Sequence, residues 1–413
     1  MNPSKNNMVV LDQIVKLIPP KLIDKLANEY DVSCHCRSFS PTSHVVAMMY
    51  GQLSHSLSLN DICDSMRNHS GTLSQIRGST PPSRNGLSHA NSIRNADMAE
   101  ALFWSVKTHL ETIFPGFGTG RIYPGTPRRF KRTINAVDST TIKLVANCMG
   151  WAKHRRRKAA AKMHLRLNMG SFLPSFAIVQ RAKEHDSILA HEMCSDIKAG
   201  EIVVFDKGYI DFKHYYILHK RGVFWVTRPK DNMQYDVVGQ HAINSNKIIR
   251  DVQIKLSKED TAEDYPEELR LVEAWVEVNK EQVKMTFITN NFEWAASSIC
   301  DLYRSRWGIE VFFKEIKQTL QLADFMGYSE NAVRWQVWTA LLVYLLLRFI
   351  AWQSKWTQSF NRLFTVLRGV LWNFFDMFSV LECCGTAGGK LRISITYEQC
   401  VLPGFTKIKI ERN

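Results

Sequence analysis

Residues 302–320 read LYRSRWGIEVFFKEIKQTL. The stretch is rich in helix formers and places Tyr303, Arg306, Glu310 and Lys317 at offsets of zero, three, seven and fourteen. An α-helix turns by about 100° per residue, so these four side chains are expected within an arc of about 60°. Leu302, Ile309, Phe313, Ile316 and Leu320 form an apolar stripe centred roughly 80° away on the same wheel. The polar line then runs along the rim of a buried face, with Arg304 and Glu315 on the other side. A carboxylate between two cations and a phenol at the edge of a core suits a phosphate-handling site. Ordinary i, i+4 and i, i+7 surface pairing would give the same spacing.

Two upstream acids share a context. Asp138 sits in TINAVDSTTIKL and Asp206 ends the apolar run of EIVVFDKGY, and each opens into a turn. In an α/β sheet, ligands and catalytic groups gather at the carboxyl ends of adjacent strands. With Glu310 added from the rim of a packing helix, three carboxylates could converge. Such a set offers hard oxygen ligands suited to Mg²⁺. Two such ions can activate a water or a 3′-hydroxyl and stabilise the leaving oxygen. Each acid alone reads as an ordinary strand-end or helix-surface group. Together with the Tyr/Arg/Lys line they point to phosphoryl transfer.

At this point the chain resembles a bacterial transposase of the DDE class, and more narrowly the insertion-sequence-four group with its spacing Y-x2-R-x3-E-x6-K. Tyr303, Arg306, Glu310 and Lys317 fit that spacing in full. VDSTTIKL and VVFDKGY resemble the group's two Asp-bearing strand motifs, and the resemblance covers roughly residues 130 to 350. SHVVAMMYGQLSHSLSLNDICDSM and GLSHANSIRNADMAEALF are similar to the N-terminal domain often found in the group. The resemblance implies an α/β fold with an RNase H-like catalytic core: a mixed sheet flanked by helices, Asp138 on the first strand, Asp206 on the fourth and Glu310 on a later helix. It implies that Asp138, Asp206 and Glu310 hold two Mg²⁺ ions, with Mn²⁺ as a substitute. Arg306 and Lys317 would then contact phosphates beside the scissile bond, and Tyr303 would donate to a phosphate oxygen. The same cluster would steady a terminal hairpin intermediate.

Segment by segment, residues 1–122 read as helical, with apolar residues at helical spacing in VVLDQIVKLI, HVVAMMYGQL and MAEALFWSVKTHLETIF. STPPSRNGLSHANSIRN breaks the pattern and resumes as a polar helix, which suits a helix-turn-helix-like DNA reader as well as a plain bundle with one long loop. This makes residues 1–122 a candidate DNA-binding domain. A Gly/Pro-rich joint, GFGTGRIYPGTP, precedes the first part of the core at 123–230, where KMHLRLNM and SFAIVQRA suggest a hairpin around Gly170 and Ser171. HDSILAHEMCSDI and DFKHYYILHKRG read as helices and VFWVTRP as a strand. The gap between Asp206 and Glu310 is too long for a simple connection. Residues 231–285, with LVEAWVEV and VKMTFIT beside the acidic SKEDTAEDYPEELR, read as a β-rich insertion filling it. The second part of the core spans 286–353, and 354–413 forms a C-terminal region ending in the strand-like KLRISITY.

Composition bounds the partner. The 413 residues carry a formal charge of +14, with a pI near 9.3. A field of that sign suits a polyanion, nucleic acid first and an anionic membrane second. Nine cysteines, an odd and scattered set, form no disulfide framework and suggest a reducing compartment. Cys34-His35-Cys36 lacks a second pair at zinc-finger spacing. The N-terminus shows no signal-peptide pattern. The apolar run 337–350 contains Arg348 and is short for a bilayer, so a buried core helix is expected. The protein is expected to be cytoplasmic, at the bacterial nucleoid.

Further residues suggest DNA contacts. Lys153, Arg155, Arg156, Arg157 and Lys158 form a basic run suited to a phosphate backbone or to a solvated loop. Arg228 and Lys230 in TRPK follow a core strand and could touch DNA near the site. Trp275 could stack on an unpaired base, although a core Trp on a strand is the expected reading. His185 and Asp186 suggest a helix start, with Asp186 as N-cap rather than metal ligand. GTAGGK near residue 390 lacks phosphate-loop spacing.

The function expected is metal-dependent cleavage at transposon ends and strand transfer into target DNA. The partners are double-stranded DNA, as terminal inverted repeats and as target, and a second copy of the chain in a synaptic homodimer, with no membrane. Three rivals stay open: a transposase-derived DNA-binding protein without catalysis, an RNase H-like nuclease that cuts without joining, and a peripheral membrane protein.

Overall fold

A computed structural model describes residues 2–33, 39–119, 130–144, 153–155, 158–181, 186–243, 245–278, 281–320 and 327–384. Eight helices come first: α1 (Val10–Val15), α2 (Leu22–Glu29), α3 (Pro41–Ser54), α4 (Leu59–Asn68), α5 (Ser70–Gln75), α6 (Arg84–Ile93), α7 (Asp97–Ile113) and α8 (Pro115–Thr119). Serines start three of them. Ser40 accepts from the Ser43 amide with Pro41 in the first turn, and Ser58 and Asp61 form a reciprocal capping box. Ser83 accepts from the Gly86 amide and begins α6 just after the Pro pair.

The sheet follows as β1 (Ile134–Leu144), β2 (Lys153–Arg155), β3 (Lys158–Asn168), β4 (Leu173–Arg181), β5 (Ile202–Phe205), β6 (Phe224–Thr227), β7 (Tyr235–Gln240), β8 (Ile248–Leu256), β9 (Leu269–Val278) and β10 (Glu281–Thr289). Between β4 and β5 lies α9 (Asp186–Met193), between β5 and β6 lies α10 (Phe212–Lys220), and between β8 and β9 lies α11 (Glu259–Asp264). The strand order is β2-β3-β1-β5-β6-β10-β9-β8-β7, with β4 also on β3. β1, β5 and β6 are mutually parallel, whereas β3 runs antiparallel to β1. Strands β7 to β10 continue the same sheet rather than standing apart, because Ile288 and Thr289 of β10 pair with Thr227 and Val226 of β6. The β3–β4 hairpin forms as expected, but its left-handed residue is Phe172, at φ 58°, rather than Gly170.

Side-chain alternation divides the sheet into two buried faces. Ile134 and Ala136 of β1, Ile202 and Val204 of β5, and Val226 of β6 join one core. Val137, Val203, Phe205 and Trp225 join another with α9 and α10. The first face is covered by α12 (Ala296–Ser305), α13 (Trp307–Lys314) and α14 (Glu330–Gln353). Helices on both faces of a mixed sheet make an RNase H-like core, preceded by a helical N-terminal region.

Helix α14 is long and apolar enough to cross a membrane by length and composition, yet 83% of its most apolar window is buried inside the protein. It packs against α3, α6 and α7 as a core helix, as expected from the sequence. The chain then forms α15 (Phe360–Arg368) and α16 (Met377–Cys384). The segment between these two helices ties back to the N-terminus: the amides of Asn6 and Val10 donate to the carbonyls of Phe374 and Asn373. The start of the expected Gly/Pro joint, residues 116–119, is helical in α8, while its remainder at 120–127, KLRISITY, GTAGGK and Cys34 to Cys36 lie outside the described residues.

Candidate active site

Strand parity brings the two aspartates together. Val137 pairs with Phe205 in the parallel β1–β5 register, so Asp138 and Asp206 are the next residues on adjacent strands. Asp206 keeps an extended backbone, φ −72° and ψ 155°. Both therefore share the face of Ala136 and Val204, the face on which α12 and α13 pack. Asp206 caps a single 3₁₀ turn, Lys207–Tyr209, by accepting from the Gly208 amide at 3.3 Å.

The opening stretch is not one continuous α-helix. Helix α12 ends at Ser305, Arg306 sits at the joint, α13 runs to Lys314, and Glu315–Thr319 is a π-helical turn. The single-helix arc expected for these side chains is therefore broken at Arg306 and again at Glu315. Arg306 is buried, 7% exposed, rather than at a rim. Glu315, expected on the far side, is drawn inward to Arg348 of α14, its Oε2 accepting from Nη2 at 2.5 Å. A buried Arg offers a charge partner that helical periodicity cannot see.

Arg306 organises the site. Its Nη1 donates to Asp138 Oδ2 and its Nη2 to Glu310 Oε1, each at 2.9 Å. Its Nε is buried with no hydrogen-bond partner among the described residues. Asp138 Oδ1 accepts from the Ser139 amide at 2.7 Å. Burial pushes the Asp138 carboxyl up to about 6; Arg306 and the Ser139 amide oppose the rise, and Asp206 and Glu310 add to it. Burial works against the Arg306 charge, but Tyr303, Asp138, Asp206 and Glu310 together hold it above its ordinary value. Tyr303 is buried, its ring 5.6 Å from the Arg306 guanidinium and 5.1 Å from the Phe287 ring. Burial raises its phenol; Arg306 and Arg228 pull against that rise and Asp206 reinforces it. Lys317 Nζ, from the π turn, donates to Thr141 O of β1 at 2.8 Å.

The remaining candidates fall differently. Arg228 is half-buried at the exit of β6, within electrostatic reach of Tyr303, and Lys230 is exposed beyond it. Arg155 lies on β2, while Arg156 and Arg157 lie outside the described residues, as does His185. Asp186 is the first residue of α9. Trp275 corrects the expectation of a core Trp: it is 45% exposed on β9. The Glu315–Arg348 pair was missed as a pair, since nothing in either segment names its partner.

The donor set suits a divalent ion by kind: three hard carboxylates that sense one another, with a cation already bridging two of them. As placed, no group of three ligand side chains among the described residues encloses an ion. Arg306 occupies the space between Asp138 and Glu310, so metal held there requires its guanidinium to withdraw from at least one carboxylate.

The transposase DDE domain family matches residues 129–346, more than half of the 413. The chain belongs to the DDE transposase family. It is a DNA transposase of bacterial insertion-sequence type, of a family that depends on divalent metal. A domain of unknown function, DUF4372, matches residues 6–76 of this transposase. A Sinorhizobium fredii protein named as transposase y4zB is 32% identical over 253 residues, 60% of this chain and 69% of that one. A Geobacillus stearothermophilus protein named as the transposase for insertion sequence element IS5377 is 27% identical over 55% of this chain and 59% of its own. A Synechocystis sp. protein named as the transposase for insertion sequence element IS4SA is 22% identical over 52% of this chain and 59% of its own.

Proposed function

We propose that this transposase cuts the DNA at the ends of its own insertion sequence and joins those ends to target DNA, with Asp138, Asp206 and Glu310 as the carboxylates of the site. One observation carries the reading: Arg306 joins Asp138 to Glu310 while Asp206 directly follows the neighbouring strand β5. Groups from three separate stretches of sequence meet near the carboxyl ends of two adjacent interior strands, where charge compensation is what phosphoryl transfer needs.

The three carboxylates would hold two Mg²⁺ ions, for which Mn²⁺ can substitute. The chemistry such a pair supplies when bound is activation of the attacking oxygen and stabilisation of the leaving one. The chain's own residues do the rest. The Nε–H of Arg306 is buried beside Tyr303 and finds no geometric acceptor among the described residues, and a phosphate oxygen beside the scissile bond would give it one. Tyr303 stays protonated because its phenol is raised by burial, and its hydroxyl donates to a second phosphate oxygen. Lys317, Arg228 and Lys230 compensate charge along the backbone, and Arg155, Arg156 and Arg157 add positive charge for further phosphates. The N-terminal helices up to residue 122 bind the terminal inverted repeats as double-stranded DNA, and two copies pair the two ends. The 231–285 segment is the β-rich insertion of the insertion-sequence-four group, and the protein works at the bacterial nucleoid.

Excision from a donor plasmid carrying the gene with its native flanks tests this. Wild type should excise, and Glu310→Gln, which keeps size but removes the charge, should not. Excision by both would remove Glu310 from the chemistry. Excision by neither, with a gel shift on the flanking ends retained, would favour a DNA-binding protein without catalysis.

A further inference from the structure

The π turn after Glu310 is held by a buried cation that the chemistry above does not use. Arg348, from the last third of the apolar helix α14, donates through Nη2 to Glu315 Oε2 at 2.5 Å and through Nε to Tyr344 Oη at 2.8 Å. The Tyr344 hydroxyl in turn donates to Phe172 O at 3.2 Å. Three rings surround the guanidinium: Phe172 and Tyr344 at 5.0 Å and Phe360 at 4.8 Å. The side chains of Arg348 and Glu315 are 13% and 18% exposed, so both charges have left most of their water. One cation thus fastens the π turn, the core helix α14, helix α15 and the β3–β4 turn, where Phe172 takes a left-handed conformation uncommon for a bulky residue.

Stability alone does not account for such a pair, because well-packed apolar side chains of similar volume replace buried ion pairs with little loss. The pair sits where it can fix a register. Glu315 is the first residue of the π turn, and the wider i→i+5 winding changes the direction in which the following side chains leave the helix. Lys317 leaves two residues later and reaches Thr141, three residues past Asp138 on β1. Glu310 leaves five residues earlier and reaches Arg306.

We propose that Arg348 and Glu315 are positioning residues that hold the π turn in register, so that Glu310 reaches the Arg306 guanidinium that also holds Asp138, and Lys317 reaches Thr141 on β1. They touch neither DNA nor metal and act through the helix they hold. The proposal rests on the transposase reading for its effect on cleavage, but its geometric content stands apart from that reading.

The test uses the full chain with three variants. Glu315→Gln/Arg348→Met removes both charges and leaves no unpaired ion, Arg348→Lys keeps the cation without the fork, and Tyr344→Phe deletes only the tethering hydroxyl. Thermal unfolding and binding to native end DNA check folding and docking. Mn²⁺ affinity by electron paramagnetic resonance and single-turnover cleavage of pre-bound ends then read position. The double variant should stay folded and bind ends within about twofold of wild type, cut at least tenfold more slowly, and need several-fold more Mn²⁺ for half-saturation. Arg348→Lys and Tyr344→Phe should fall between it and wild type. Wild-type Mn²⁺ affinity and cleavage rate in the folded variants would overturn the proposal. If the double variant does not fold, Arg348→Lys and Tyr344→Phe decide in its place, and wild-type values in both overturn it. A wild-type chain that binds Mn²⁺ yet cuts no DNA overturns the transposition reading alone, and the Mn²⁺ comparison still decides this one.

Discussion

Arg306 and Asp138, 168 residues apart, form an ion pair at 2.9 Å that closes the site from the sheet to the helices. The same guanidinium holds Glu310, so the site carries its own positive charge between two carboxylates. Removing one member of a buried pair strands the other. Arg306→Gln is expected to destabilise the protein by about 3 kcal/mol, and Asp138→Asn in the same chain should recover part of that loss. A double-mutant cycle in urea checks it. Strictly additive losses would mean that the pair does not couple.

A divalent ion that enters this site should stabilise the folded chain by mass action. At ten times its dissociation constant the gain is about 1.4 kcal/mol. Melting of wild type with and without Mn²⁺ should show an upward shift that Glu310→Gln and Asp206→Asn each reduce. An equal shift in all three chains would place the ion elsewhere.

The basic residues beyond β6 should act without regard to base sequence. Losing one phosphate contact lowers the salt slope of DNA binding by about one. Arg228→Gln/Lys230→Gln should therefore bind end DNA and unrelated DNA more weakly by similar factors, with a slope smaller by about two. Anisotropy titrations across a range of salt concentrations measure this. An unchanged slope would remove both residues from the DNA track.

His44 makes the N-terminal region sensitive to acid. It is fully buried beside Asn91 and Trp335, and burial lowers its imidazole to about 3; Arg94 lowers it further and the Asn91 hydrogen bond opposes. The unfolded chain binds a proton near 6.5 that the folded chain refuses. The stability tied to neutral His44 is thus fully present above pH 6.5 and is lost as pH falls toward 3. Between pH 7 and pH 5 the loss is about 2 kcal/mol. His44→Gln should flatten that part of the stability–pH curve, measured by urea unfolding at each pH. A slope identical to wild type would show that other groups carry it.

Much of this protein was legible along the chain. The spacing from Tyr303 to Lys317, the β-branched runs around Asp138 and before Asp206, and the serines ahead of α3, α4 and α6 are local patterns. Local patterns report local torsions and the side of an element that is buried. That information located a helical N-terminal region and three candidate carboxylates, and the RNase H-like transposase fold followed from the family resemblance those motifs carry. Tertiary structure decided the rest. It broke the helix at Arg306, opened the π turn at Glu315, left Trp275 exposed and joined β10 to β6. Three of these involve a partner brought close from far along the chain: Asp138 for Arg306, Arg348 for Glu315, Thr227 for Ile288. A buried charge settles where its counter-charge is, and no periodicity in its own segment can say where that will be.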